Sequence, residues 1–195
     1  MSEIPQTTRT FFHFLFAIAV LCLVASPVIS RSQSFATDLE GKPFDPFHSA
    51  QGKVVVLIFV RTDCPVSNRY APAIQQLSAQ IADRAVFFLV YPSKKETAAS
   101  IRKHDREFGY TLAALRDPQH ILVKQSQAQI TPEAAVFDAN RRLVYHGRID
   151  NLYEDFGHAR KSATTHELAD AIAAAIVGKA MNATPAVGCY ISDLE

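Results

Sequence analysis

The chain has 195 residues and a nearly balanced charge, with 20 Lys and Arg residues against 19 Asp and Glu residues. Because no run of like charge is long enough to form a basic or acidic tail, nucleic acid is not a predicted partner. Hydrophobic residues make up 48% of the chain, which fits a globular domain with one core behind an apolar N-terminal segment.

The first thirty residues predict a signal peptide. Arg9 supplies a positive charge, and the apolar stretch 11–24 that follows it is short for a membrane span. Small residues near Ser30 suit cleavage after that position, and Cys22 would leave with the signal. We therefore expect export to an oxidising compartment, the bacterial periplasm. In the alternative, an uncleaved segment anchors the chain and is its one contact with the membrane.

The rest of the chain divides into a globular domain at 31–178 and a C-terminal tail at 179–195 that carries Cys189. A hairpin or loop at 38–46 leads into the run 54–60, which is apolar at every position and rich in β-branched residues. Such a run is typical of a strand buried on both faces. Apolar residues recur at helical spacing across 68–82, which predicts an amphipathic helix.

Further along, 85–91 predicts a second central strand and 94–108 a crossover helix. A short strand at 112–115 follows, and Asp117 and Pro118 suit the start of a helix to about 127.

An antiparallel hairpin is predicted for 134–137 and 143–146. Thr164 and Glu167 resemble a capping box that opens a last helix, which ends at Gly178. The order of these elements predicts an α/β fold with a mixed sheet.

Cys64 lies where the first central strand gives way to the first long helix. A sulfur at a helix N-terminus meets unpaired N–H groups and the positive end of the dipole, which favour the reactive thiolate. Asp63 opposes that charge while Arg61 and Arg69 favour it, so the net effect stays open. An inert buried cysteine is the alternative interpretation. Ser67 either donates its hydroxyl to the sulfur or satisfies a backbone group.

Cys189 is the candidate partner of Cys64, because Ser67 stands where a Cys-x-x-Cys motif has its second cysteine. Gly188 would permit close approach of two backbones. As a resolving cysteine, Cys189 would attack an oxidised Cys64; the alternative is a permanent disulfide that fixes the tail to the domain.

These features resemble the thioredoxin-like superfamily, particularly its redoxin branch, the alkyl hydroperoxide reductase and thiol-specific antioxidant group, over about residues 35–178. The strand at 54–60 that runs into Cys64, and Thr131 with Pro132 before the hairpin, carry the resemblance. It implies a three-layer fold with a mixed central sheet flanked by helices. It also implies that Cys64 is the nucleophile, that Pro132 is a cis-proline, and that Thr131 offers a backbone edge to a bound substrate.

The resemblance implies thiol–disulfide exchange without a cofactor. Cys64 would attack a protein or small-molecule disulfide, the mixed disulfide would rest against Thr131 and Pro132, and Cys189 would displace the product. A thiol protein would then reduce the oxidised chain.

A thiol peroxidase is the second hypothesis, in which Cys64 attacks a peroxide and the sulfenic acid condenses with Cys189. Arg61 stands three residues before Cys64, where peroxiredoxins have threonine, which argues against peroxide as the substrate. Arg116 and Arg148 are both candidates for the family's peroxide-positioning arginine.

The third hypothesis is a non-catalytic binding protein, such as a copper(I) carrier in which His146 and His158 join the two cysteines, or a module with a purely structural disulfide. The four side chains lack the close spacing of a metal motif, so no metal site is predicted.

Overall fold

The computed structural model describes residues 36–192 and residue 194, and the predicted signal peptide lies outside this part of the chain. The strands are β1 (Ala36–Thr37), β2 (Pro43–Phe44), β3 (Val54–Phe59), β4 (Ala85–Tyr91), β5 (Ala113–Arg116), β6 (Ile130–Thr131), β7 (Glu133–Phe137), β8 (Leu143–Gly147), β9 (Tyr153–Asp155), β10 (His158–Ala159) and β11 (Cys189–Tyr190). The helices are α1 (Pro46–Ser49), α2 (Pro65–Gln80), α3 (Ala98–Phe108), α4 (Ile121–Ser126) and α5 (Glu167–Ile176).

A seven-stranded mixed sheet forms the middle layer, in the order β2-β1-β5-β4-β3-β7-β8. The central strand β3 pairs in parallel with β4 and antiparallel with β7. All six residues of β3 are buried because helices cover both faces of the sheet. Residues of α2, α3 and α5 belong to one core cluster, and residues of α4 belong to the other. The predicted α/β fold of three layers with a mixed sheet is therefore confirmed.

Most of the predicted elements are present, with shifted ends. The runs 54–60 and 85–91 are the central strands β3 and β4, and the late hairpin is β7 with β8. Helix α2 begins at Pro65, three residues before the prediction, because Cys64 is its N-cap. Helix α3 begins only at Ala98, where Thr97 and Ser100 cap its first turn.

The prediction that Asp117 and Pro118 open a helix was wrong. Helix α4 begins at Ile121, after a tight turn in which the N–H of His120 donates to the carbonyl oxygen of Asp117. The buried carboxylate of Asp117 instead caps α4 from a distance, accepting bonds from the N–H groups of Ile121 (2.8 Å) and Val123 (2.9 Å). A carboxylate can satisfy first-turn donors from outside the N-cap position.

The capping box predicted for Thr164 and Glu167 does not form. Helix α5 has His166 as its N-cap residue, and the side chain of His166 makes no cap bond. Thr164 donates its N–H to the Oδ1 atom of Asn151 at 2.7 Å, and the Glu167 carboxylate forms an ion pair with Arg148. These longer-range partners replace the local bonds that a capping box requires.

Within the described residues, no helix has both the length and the apolar character needed to cross a bilayer.

Candidate active site

Cys64 is the N-cap residue of α2, directly after the loop that follows β3. Its backbone is extended, with φ −91° and ψ 110°, and Pro65 begins the helix without an N–H of its own. The backbone N–H of Ser67 donates to the Cys64 sulfur at 3.5 Å. The sulfur thus takes the place that a serine or aspartate oxygen usually has at an N-cap. Both Cys64 and Ser67 are fully buried.

The Thr131–Pro132 loop faces the sulfur from the neighbouring strand β7. The Cys64 thiol donates to the carbonyl oxygen of Thr131 at 3.1 Å, and the Thr131–Pro132 bond is cis, as the resemblance implies. Glu133 holds this loop in place, since its Oε2 atom accepts bonds from the N–H groups of Gln129 (2.8 Å) and Ile130 (3.1 Å).

The C-terminal tail returns to this loop and brings Cys189 to the site. Strand β11 pairs antiparallel with β6, and Cys189 lies opposite Thr131. The Thr131 hydroxyl donates to the Cys189 carbonyl oxygen at 3.2 Å, so Cys189 and Cys64 both bond to Thr131. The structure therefore brings all five predicted site residues together: Cys64, Ser67, Thr131, Pro132 and Cys189.

The two cysteines have pKa values that move in opposite directions. Burial raises the pKa of Cys64, but hydrogen bonds from the Cys189 thiol and from Ser67 outweigh it, so the Cys64 pKa is lowered from its ordinary value of 9.0. Burial and the hydrogen bond with Cys64 raise the pKa of Cys189 to about 12. The Ser67 hydroxyl makes no hydrogen bond of ordinary geometry to a described residue, yet it is near enough to the sulfur to contribute. At neutral pH, Cys64 is thus the more readily ionised thiol.

Arg61 connects the active-site loop to the tail. Its guanidinium pairs with the carboxylate of Asp63 at 2.8 Å and donates to the carbonyl oxygen of Tyr190 at 3.4 Å. This ion pair offsets the negative charge of Asp63, whose net effect on Cys64 could not be decided from the sequence. Arg69, the other arginine near Cys64 in the sequence, is exposed. The charge of Arg61 also acts on Cys189, where it lowers the pKa against the effect of burial.

Glu96 is a site residue that the sequence reasoning missed. Its Oε1 atom accepts the N–H of Thr62 at 2.7 Å, two residues before Cys64, and the residue is 7% exposed. Burial raises the pKa of Glu96, and its Oε2 atom has no partner among the described residues. A signal existed in the sequence, because Glu96 follows β4, and parallel strands end at the same edge of a sheet.

A buried polar chain supports the same loop from α2 and α3. Asn68 donates to the carbonyl oxygen of Thr62 at 3.2 Å and accepts from the Nε2 atom of His104 at 2.8 Å. The Nδ1 atom of His104 lies 2.9 Å from the hydroxyl of Tyr91, which also contacts Asp105 at 3.0 Å. Since the Asn68 oxygen requires a donor, Nε2 carries the proton in this arrangement. Burial lowers the pKa of His104, which keeps the ring neutral.

The candidate peroxide-positioning arginines and metal-binding histidines have other surroundings. Arg148 pairs with Glu167, and His146 contacts the Glu133 carboxylate at 3.1 Å, while His158 is exposed on β10. Arg116 ends β5 and pairs with Thr37 of β1 in the sheet. The described residues contain no group of three or more His, Cys, Asp or Glu side chains suited to a metal ion.

The fold and the site define a thioredoxin-like protein with a buried cysteine at a helix N-terminus. The chain belongs to the redoxin family, because the Redoxin family model matches residues 25–161. The predicted resemblance is confirmed at this level, and the family supports a thiol-dependent oxidoreductase in general terms.

Solved structures share this fold at low sequence identity. A hypothetical protein from Sinorhizobium meliloti 1021 is 24% identical, with a TM-score of 0.66, and the match covers 80% of this chain and 89% of that chain. An uncharacterized conserved protein from Geobacillus kaustophilus is 20% identical, with a TM-score of 0.62 and coverage of 80% and 87%. A secreted disulfide oxidoreductase from Mycobacterium tuberculosis, homologous to Escherichia coli DsbE, is 20% identical, with a TM-score of 0.50 and coverage of 74% and 95%. No curated protein matches the chain significantly.

Proposed function

We propose that the protein is an exported thiol–disulfide oxidoreductase in which Cys64 is the nucleophile and Cys189 is the resolving cysteine. One observation carries the proposal: the N-cap thiol of Cys64 bonds to the cis-proline loop, and a second cysteine lies on a strand that pairs with the same loop opposite Thr131. A predicted signal peptide and two cysteines in the mature chain fit a compartment where disulfides form.

In the first step, the Cys64 thiolate attacks one sulfur of a substrate disulfide. The substrate S–S bond breaks, its second sulfur leaves as a thiolate, and a mixed disulfide forms on Cys64. The Ser67 N–H and the helix N-terminus stabilise the attacking thiolate. Because a low-pKa thiol is also a good leaving group, the same site can run in the oxidising direction.

In the second step, Cys189 resolves the mixed disulfide. The Cys64 thiolate raises the pKa of Cys189, and this effect ends when Cys64 becomes part of a neutral disulfide. Arg61 remains beside Cys189 and continues to favour its thiolate. Cys189 then attacks the Cys64 sulfur, the substrate thiolate leaves, and the chain holds a Cys64–Cys189 disulfide that a reducing thiol protein must reopen.

Disulfide exchange is favoured over peroxide reduction by the positions of the arginines. Among the described residues, no arginine hydrogen-bonds to Cys64: Arg61 binds Asp63 and the tail, and Arg148 binds Glu167. A peroxide bound at Cys64 would lack the guanidinium that the family uses to position it.

The test treats reduced full-length wild type and Cys189→Ser with glutathione disulfide or hydrogen peroxide, followed by mass spectrometry of non-reduced peptides. We expect glutathione disulfide to produce the Cys64–Cys189 disulfide in the wild type and a glutathione adduct on Cys64 in Cys189→Ser. If peroxide alone modified Cys64, as a sulfenate in the variant, the peroxidase hypothesis would replace this proposal.

A further inference from the structure

We propose that β11 is an internal pseudo-substrate, a segment of the chain itself that occupies the substrate position beside Cys64. Substrate segments that replace it are extended and have glycine immediately before their cysteine. The inference rests on the proposed function, because it names the substrate class of the same site.

Strand β11 closes access to the nucleophile. Cys64 is 0% exposed, and Cys189 packs against the core cluster that contains Cys64. The next residue, Tyr190, is 76% exposed, so β11 lies at the surface directly above the site. A disulfide in another protein therefore meets Cys64 only after β11 has moved.

The backbone edge beside Cys64 is also occupied by the tail. In the part of the chain that the structure describes, β6 pairs with β11 alone. The N–H of Ile191 donates to the carbonyl oxygen of Gln129 at 2.9 Å, and the carbonyl oxygen of Cys189 accepts the Thr131 hydroxyl. An extended substrate segment would need these same backbone groups, so it competes with β11 for one edge.

The contacts of Gly188 indicate which residue type fits against this backbone edge. A Cβ atom at Gly188 would collide with the carbonyl oxygen of Thr131 and would lie 2.8 Å from its carbonyl carbon and 3.1 Å from the Cδ atom of Pro132. Thr131 is fully buried, so the loop cannot move aside freely. Any segment that adopts the register of β11 meets the same limit one residue before its cysteine, and glycine avoids it.

The tail is attached so that β11, together with Ile191, can leave while the segment before it stays in place. Thr184 anchors the tail before β11, donating its N–H to the His146 carbonyl oxygen at 3.2 Å and contacting the Tyr145 hydroxyl at 2.6 Å. Ile191 anchors the far end, where it is 5% exposed in the second core cluster. Between these anchors β11 is only two residues long, so few backbone bonds oppose its release.

The first experiment uses two synthetic peptides as disulfide-linked homodimers: Ala-Val-Gly-Cys-Tyr-Ile, which copies the tail, and the same peptide with valine in place of glycine. Each is mixed with reduced full-length Cys189→Ser, and the peptide adduct on Cys64 is followed by mass spectrometry. We expect the glycine peptide to react at least about tenfold faster, because the valine side chain overpacks the edge. Equal rates would overturn the inference.

The second experiment displaces β11 in the Cys189→Ser background. Gly188→Ala should raise the rate with the glycine peptide by about fivefold or more, because the tail must leave Thr131. Ala183→Ser is the matched control, since it adds one heavy atom at an exposed position of the same tail. Ile191→Ser removes the far anchor without touching Thr131 and should act in the same direction. If neither tail variant changed the rate relative to the control, β11 would not be the cover.

Failure of this inference is distinct from failure of the proposed function. If glutathione disulfide produces the Cys64–Cys189 disulfide in the wild type but both peptides react at equal rates, the proposed function stands and the pseudo-substrate inference fails. If no disulfide modifies Cys64, whether β11 is docked or displaced, both the proposed function and the pseudo-substrate inference are refuted.

Discussion

The Cys64 thiol donates its hydrogen bond to the backbone carbonyl oxygen of Thr131, across 3.1 Å. A thiolate has no proton to donate, so an ionised sulfur would face this oxygen directly, and that contact opposes ionisation. Burial also opposes ionisation, while the Cys189 thiol and Ser67 lower the pKa of Cys64. The acidity of Cys64 therefore depends on the docked tail as well as on the helix.

Cys189→Ala is expected to raise the pKa of Cys64, because alanine removes the donor that stabilises the thiolate. Cys189→Ser retains a hydroxyl donor and should keep the Cys64 pKa lower than Cys189→Ala does. The measurement is the rate of iodoacetamide alkylation as a function of pH, read from the mass of the peptide that contains Cys64. Identical pH profiles for the two variants would contradict a role for the tail donor.

Arg61→Met is expected to slow the resolving step, because Arg61 favours the Cys189 thiolate and binds the Tyr190 carbonyl oxygen. Closure of the Cys64–Cys189 disulfide after exposure to glutathione disulfide should slow by about tenfold near neutral pH, and its pH profile should move to higher pH. Arg61→Lys keeps the charge and should restore the profile. Arg69→Met removes an exposed charge from α2, the helix that follows Arg61, and serves as the control. An equal loss there would assign the effect to net charge alone.

Glu96→Gln should stabilise the fold increasingly as the pH rises. Burial raises the pKa of Glu96 above its ordinary value of 4.5, so the unfolded chain loses this proton first. The carboxyl group thus contributes stability below about pH 4.5 that is lost as the pH rises through its folded pKa. Glutamine keeps an oxygen for the Thr62 N–H without the buried charge.

The measurement for this prediction is the free energy of unfolding by denaturant at about pH 4 and about pH 8, compared between Glu96→Gln and wild type. Glu107→Gln, at an exposed ion pair with Lys103, is the control. A difference in stability that stayed constant with pH would show that Glu96 does not titrate in this range.

The sheet could be predicted from sequence because its central strands carry a strong local signal. Strand β3 is apolar at every position, which only a strand covered on both faces tolerates. Cys64 could also be identified from the sequence as a candidate site residue, because a cysteine directly before Pro65 at a strand-to-helix junction indicates a helix N-terminus. These features depend on a few neighbouring residues.

The parts that could not be predicted depend on contacts between distant residues. Strand β11 has only two residues and no period, so nothing local indicates that Cys189 lies opposite Thr131. The partner of Asp117 was misjudged because its carboxylate reaches past the expected N-cap position to Val123. The position of Glu96 after β4 indicates the same edge of the sheet as Cys64, but only the fold shows that its carboxylate reaches the Thr62 N–H.

His104 is expected to make the fold acid-sensitive. Burial lowers the pKa of His104 below its ordinary value of 6.5, so the unfolded chain takes up this proton first. The neutral ring therefore contributes stability that is present above about pH 6.5 and is lost as the pH falls toward the folded pKa. Protonation would place a positive charge on a buried ring, and Asn68 connects that ring to the Thr62 carbonyl oxygen.

The measurement is the free energy of unfolding between about pH 5 and about pH 7.5, compared for wild type, His104→Gln and the exposed-site control His158→Gln. Glutamine keeps a donor for Asn68 and does not titrate, so the acid-dependent loss should shrink in His104→Gln and persist in the control. Alkylation of Cys64 in the same samples reports whether the loop before it also changes, since Asn68 bonds to Thr62, two positions before Cys64. Parallel stability curves for all three proteins would contradict the prediction and assign the acid sensitivity to other groups.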